Sequence, residues 1–159
     1  MVQVCFVCLG NICRSPTAEA VFQHQVEQAG LGDIIAVDSA GTSGFHTGEL
    51  ADARSRAEAE RRGVPLHSRS RQFVSGDFRR FDYVIAMDGA NLRDLAALKG
   101  AASYDGVLAT LRSFDPDSPP DAPVPDPYYG GPDGFAMVYD LVDVACRGLL
   151  DRVRADHGL

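Results

Sequence analysis

Cys8-Leu9-Gly10-Asn11-Ile12-Cys13-Arg14-Ser15-Pro16 sets a cysteine at the head of five residues, an arginine, a serine and a proline. An apolar run, Val2-Gln3-Val4-Cys5-Phe6-Val7, leads in, and a helix-prone run from Pro16 to Gln23 leads out. A strand, a tight loop and a helix N-terminus make an anion site, because backbone N–H groups lacking intrahelical partners point into the loop. A thiol in such a field is acidified, since positive potential favours thiolate. Arg14 adds a planar fork that can hold two phosphate oxygens at once. The stretch reads as a nucleophile in a phosphate cradle. Cysteine is often only a small buried hydrophobe, and a bare cysteine-to-arginine spacing occurs by chance. Position decides here: the end of a strand, Gly10 within the loop, Ser15 after Arg14 and Pro16 opening a helix.

Outward from this stretch, Gly30-Leu31-Gly32-Asp33 stops the first helix and Ile34 to Ala40 reads as a second strand. Gly41 to Gly48 is a glycine-rich loop. Asp52 to Arg62 is a helix with Gly63 as its stop. Ser75 to Arg79 is a short helix, Asp82 to Met87 a buried strand, and Asp88 or Gly89 begins a helix through Leu98. Val107 to Ser113 is expected as the last strand and Asp115 to Tyr129 as a proline-rich loop. Phe135 to Arg154 repeats apolar residues at the spacing of one helical face. Alternating helices and continuous apolar strands predict an α/β fold, a parallel sheet with helices on both faces. Ligands of such sheets sit at the carboxyl ends of strands, where Cys8 falls.

A chain of 159 residues with 45% hydrophobic and 23% charged residues is expected to form one globular domain over 1–159. No apolar run approaches the ~20 residues of a membrane span, no signal peptide is visible at the N-terminus, and the cytoplasm is the expected location. A net charge of −7 argues against nucleic acid and makes any attraction for phosphate a local matter. Cys5-Phe6-Val7-Cys8 spells C-x-x-C, but a structural zinc site needs a second pair of ligands, and none follows. Cys5 and Cys146 read as core, and no metal or cofactor is expected.

The chain resembles the low-molecular-weight protein tyrosine phosphatases. The resemblance runs almost end to end: the loop from Cys8 to Pro16, Ser39-Ala40-Gly41-Thr42, the stretch Phe81 to Asp88, Asn91-Leu92, and Asp126-Pro127-Tyr128-Tyr129-Gly130. It implies a four-stranded parallel sheet of flavodoxin-like, three-layer type and hydrolysis of phosphotyrosine without metal or cofactor. Phosphotyrosine-bearing proteins are then the expected partners, inorganic phosphate or vanadate the expected inhibitors, and a monomer the expected state. The family often carries a histidine three residues before the arginine of an H-x-x-R-Q segment. Here Ser68-Arg69-Ser70-Arg71-Gln72 has Ser68 in that place and His67 one earlier, so His67 reads as a surface residue.

The resemblance assigns roles. Cys8 attacks phosphorus and forms a phosphocysteine. The N–H groups of Leu9, Gly10, Asn11, Ile12 and Cys13, with the Arg14 guanidinium, hold the non-bridging oxygens. Ser15 donates to the Cys8 sulfur, and Asn11 braces the loop or simply tolerates left-handed geometry. Tyrosinate leaves poorly unprotonated, since tyrosine has a pKa near ~10, so an acid is needed. Spacing does not choose among Asp115, Asp117, Asp121 and Asp126; the family's D-P-Y motif chooses Asp126, and Pro125 and Pro127 restrict its backbone. Leu9, Phe45, Tyr128 and Tyr129 are expected to wall a slot for a flat ring, and Asp88 to pair with Arg71. Cys13 either fills space below the cradle or condenses with an oxidised Cys8 to a disulfide.

Three other functions compete. Arsenate reductases of this fold need further thiols, and none lies between Cys13 and Cys146. Protein arginine phosphatases carry threonine where this chain has Ile12, which cannot hydrogen-bond an arginine substrate. A non-catalytic phosphate-binding module would have no need of Cys8, Arg14 and an acid together.

Overall fold

The structure is a computed structural model and describes residues 1–131 and 133–159. Four strands, β1 (Val2–Cys8), β2 (Ile35–Gly41), β3 (Tyr83–Ala86) and β4 (Val107–Thr110), form one sheet. All pairings are parallel and the order is β2-β1-β3-β4. Strand order therefore reverses at β1, and the residues that follow Cys8 leave the sheet at its switch point.

Alternation along β1 divides the core. Val4, Phe6 and Cys8 face one side, with α1 (Arg14–Gln28) and α4 (Asp133–His157), where Phe6 meets Phe22 edge-on at 5.5 Å. Ala59 of α2 (Ala53–Arg61) joins this cluster. Cys5 and Val7 face the other side, with Phe73, Phe81 and Leu95 of α3 (Gly89–Lys99). The sheet is thus covered on both faces, as its unbroken apolar strands require.

The expected elements are present with shifted ends. α1 begins at Arg14, so Pro16 is its third residue; no helix N–H is lost, because the first four are unpaired anyway. β2 starts one residue later than expected and ends at Gly41. β4 stops at Thr110, and a 3-10 turn covers Leu111–Phe114 where a strand was expected through Ser113. Ser113 Oγ donates to the Thr110 carbonyl at 2.6 Å, a local bond that competes with the ladder. α4 packs against this turn, and a side chain at Gly148 would collide with the Phe114 carbonyl. Asp52 and Asp88 cap α2 and α3 by accepting from the Arg54 and Asn91 N–H groups.

Candidate active site

The loop from Cys8 to Arg14 owes its shape to its carbonyls. Thr42 N–H donates to Cys8 O at 2.9 Å, Ser43 N–H to Leu9 O at 2.9 Å and Asp52 N–H to Ile12 O at 2.7 Å. The Ser70 hydroxyl holds Gly10 O at 3.0 Å, and Thr17 holds Cys13 O at 2.8 Å. A peptide unit is rigid, so a carbonyl drawn outward turns its N–H partner inward. Asn11 N–H donates to Cys8 Sγ at 3.2 Å. Among the described residues the N–H groups of Gly10, Ile12, Cys13 and Arg14 have no protein acceptor. β2 can lie this close because Gly41 has no side chain: a Cβ there would sit 2.7 Å from Leu9 O and 3.1 Å from Asn11 N.

Asn11 has a φ of 56°, the left-handed region. Its side chain also braces the loop: Nδ2 donates to Ser15 Oγ at 2.8 Å and to Ser39 Oγ at 3.0 Å, and Oδ1 accepts from Arg71 N–H at 3.0 Å. Both readings of Asn11 hold together. Neither His67, which is exposed, nor Ser68 hydrogen-bonds to it.

Cys8 is 2% exposed, and its Sγ lies 3.0 Å from Ser15 Oγ. Arg14 Nη1 donates to Asp88 Oδ2 at 2.6 Å and to Val124 O at 3.2 Å, while Nη2 stands 3.8 Å from Asp126 Oδ2. This corrects the expected Asp88–Arg71 pair. Arg71 instead bonds Asp38 at 3.1 Å and Asp77 at 3.0 Å. Asp88 leads out of β3, on the next strand to β1, and the fold brings Arg14 there.

These groups open on one crevice of about 400 Å³. Cys8, Arg14 and Asp126 line it, and Leu9, Phe45, Tyr128 and Tyr129 are among its walls. Asp115, Asp117 and Asp121 do not line it; Asp115 is buried and accepts from Asp117 N–H and Ser118 Oγ. Gly10, Ile12 and Cys13 also reach it. Ser43 and His46 reach it unforeseen. His46 packs edge-on to Phe45 at 4.9 Å and bonds Glu49 at 2.7 Å, so the glycine-rich loop was the signal that marked it.

All four cysteines are buried free thiols. Burial pushes the Cys13 thiol up to about 12, against a hydrogen bond from Ser55 that lowers it. Burial also raises Cys5 and Cys146 well above the usual thiol range. Among the described residues no helix is long and apolar enough to cross a membrane, and no cluster of three or more metal-ligating side chains occurs.

Comparison with known proteins places this fold and site among the protein phosphatases. The family profile described as low molecular weight phosphotyrosine protein phosphatase matches residues 3–158. The chain is 49% identical over 153 residues to the low molecular weight protein-tyrosine-phosphatase of Streptomyces coelicolor, covering 96% of this chain and 93% of that one. The crystal structure of a protein tyrosine phosphatase from Entamoeba histolytica superposes with a TM-score of 0.91 at 39% identity, covering 99% of each chain. An arginine phosphatase, solved as a cysteine-to-serine mutant with a phosphorylated active-site serine, gives a TM-score of 0.86 at 26% identity over 98% of this chain and 97% of that one. The chain belongs to the low molecular weight phosphotyrosine protein phosphatase family.

Proposed function

We propose that the chain is a protein tyrosine phosphatase working through a phosphocysteine on Cys8. The Cys8 thiolate attacks phosphorus, the bond from phosphorus to the tyrosine oxygen breaks, and Asp126 gives that oxygen its proton. Water then attacks the phosphocysteine, Asp126 takes a proton from it, and phosphate leaves as the thiolate is restored. Inward N–H groups and the Nε–Nη2 edge of Arg14 stabilise the transferring group, with Asp88 holding the guanidinium. Leu9, Phe45, Tyr128 and Tyr129 take the ring. The observation that carries this reading is a loop whose Cys8, Leu9, Gly10, Ile12 and Cys13 carbonyls are each tied to a protein donor, beside a crevice lined by Cys8, Arg14 and Asp126. The phosphorylated serine of the arginine phosphatase mutant supports a covalent step at that position. The proposal includes one domain over 1–159, no metal or cofactor, a cytoplasmic monomer whose thiols stay reduced, and Cys13 as redox partner of Cys8.

The same arginine phosphatase supplies the second reading, against which Ile12 stands at the crevice wall. Rates on phosphotyrosine, phosphoserine and phosphoarginine peptides separate the two. Phosphotyrosine is expected to be turned over at least ~10²-fold faster, on the scale of specificity set by substrate shape. Ile12→Thr is expected to raise the phosphoarginine rate. Equal rates on phosphoserine contradict the slot.

A further inference from the structure

A chain of side-chain hydrogen bonds runs from the back of Cys8 to a carboxylate outside the crevice. Ser15 Oγ lies 3.0 Å from Cys8 Sγ. Asn11 Nδ2 donates to Ser15 Oγ at 2.8 Å and to Ser39 Oγ at 3.0 Å, and Ser39 Oγ donates to Glu19 Oε1 at 2.6 Å. Asn11, Ser15 and Ser39 are at most 2% exposed, so water does not substitute for a missing partner.

The direction of this chain follows from what each group can do. A carboxylate only accepts. Ser39 has one hydroxyl proton; Glu19 takes it, so Ser39 faces Asn11 as an acceptor. Asn11 must therefore turn its NH₂ inward, and the Arg71 N–H on its other side agrees by donating to Oδ1. Ser15 Oγ accepts from Asn11, and its own proton is left for the Cys8 sulfur at 3.0 Å, ahead of the Ala40 carbonyl at 3.3 Å. Without an acceptor at Glu19, the Ser39 proton is free to oppose the Asn11 donor.

We infer that Glu19 is a positioning residue for Cys8, its carboxylate fixing the Ser39–Asn11–Ser15 chain so that the Ser15 hydroxyl donates to the nucleophilic sulfur. The inference rests on the reading of Cys8 as nucleophile. Such donation favours the thiolate before attack and its departure from phosphorus afterwards. Burial, and the negative charge of Asp38, push the Glu19 carboxyl up; the Ser39 and Ser68 hydroxyls and Arg71 favour its charged form. Glu19 lines a separate crevice of about 200 Å³ with Pro16, Leu66, His67 and Ser68. None of these residues borders the phosphate crevice, so a change at Glu19 leaves the substrate walls intact.

The test uses Glu19→Gln, whose amide can donate or accept and imposes no direction, together with Ser39→Ala and the double variant. Two rates are read: turnover of p-nitrophenyl phosphate, and alkylation of Cys8 by iodoacetamide followed across pH, since the thiolate is the form alkylated. Glu19→Gln is expected to lower kcat and slow alkylation alike, about three- to tenfold, the worth of one buried hydrogen bond, with KM unchanged. Ser39→Ala is expected to match it, and the double variant to be no worse than the weaker single one, since all act through one chain. An alkylation rate in either folded single variant equal to the parent's overturns the inference, as does a double variant whose losses multiply. Ser39→Ala removes only an oxygen and keeps the test open if Glu19→Gln does not fold. Alkylation of the parent at Cys8 must also abolish turnover; if it does not, the reading of Cys8 fails, and with it the role of Glu19.

Discussion

The two halves of the crevice are built on opposite principles. In the phosphate loop, Asn11, Arg14 and Ser15 are at most 3% exposed, and carbonyl after carbonyl is tied to segments as distant as Thr42, Asp52 and Ser70. In the acid loop, Val124 is anchored by its N–H to Met87 O at 2.8 Å, and beyond it the hydrogen bonds are local: Tyr128 N–H to Asp126 Oδ1 and Gly130 N–H to Pro127 O. The Asp126 side chain is 45% exposed and Tyr129 is 94% exposed. Charge stabilisation needs donors fixed before the reaction, because reorganising them costs part of what they contribute. Recognition of a ring borne on a protein needs an open surface instead. In the proposed function, phosphate chemistry falls to the braced half and substrate contact to the exposed one.

The largest expected effect separates these roles at Asp126, the group of the exposed half to which the proposed function gives a part in the chemistry. Asp126→Ala is expected to lower kcat on a phosphotyrosine peptide by about 10²–10⁴. Burst experiments with p-nitrophenyl phosphate, whose leaving group needs little protonation, should show a much smaller loss in the first step. Equal losses on both substrates would make Asp126 structural. Asp115→Ala and Asp117→Ala are expected to leave kcat near the parent's, since neither residue lines the crevice.

A second effect tests whether the rigid half protects its own nucleophile. Burial holds Cys13 protonated far above neutral pH, so it does not compete with Cys8 for alkylating agents or peroxide. In the proposed redox role it gives up its proton as it condenses with a Cys8 sulfenic acid, releasing water and forming a disulfide. Peroxide-treated parent enzyme is expected to recover most of its activity with dithiothreitol, and Cys13→Ser to recover little. Equal recovery in the two would leave Cys13 a packing residue under the loop.

The smallest effect concerns a distant contact to an aromatic wall of the exposed half. Arg54, held by Asp52 at 3.0 Å, lies over the Tyr128 ring at 5.3 Å. Such a contact is worth about 0.5–1 kcal/mol at a partly exposed site. Arg54→Ala should therefore raise KM for phosphotyrosine peptides about two- to fivefold, as that energy implies, with kcat unchanged. A fall in kcat without a change in KM would mean that the acid loop is held as firmly as the phosphate loop.

The sequence made the first half of this contrast legible and not its supports. Apolar runs, the glycine stops and the helix after Arg14 are local signals, which is why the strands and helices fall close to their expected places. The end of β4 was missed because Ser113 returns a hydrogen bond to Thr110, a choice that depends on α4 packing beside it. Arg71 and Asp88 were legible as charged residues near the site, but ion-pair partners are set by tertiary placement, and Asp88 went to Arg14. His46 and Ser43 could be found only as members of a glycine-rich loop. The distant segments that draw the loop carbonyls outward lie 34 to 60 residues along the chain and act through backbone groups or a single serine, which carry no motif.

The account stands on a covalent bond formed at Cys8, and its most direct test is to trap that bond. The Asp126→Ala variant, mixed with p-nitrophenyl phosphate and quenched in acid during turnover, is digested and its peptides weighed. The account predicts one added phosphate on the peptide that holds Cys8, located on the cysteine, and none when Cys8→Ala is treated alike. Phosphate found on another residue, or an unmodified Cys8 peptide while turnover continues, would contradict it.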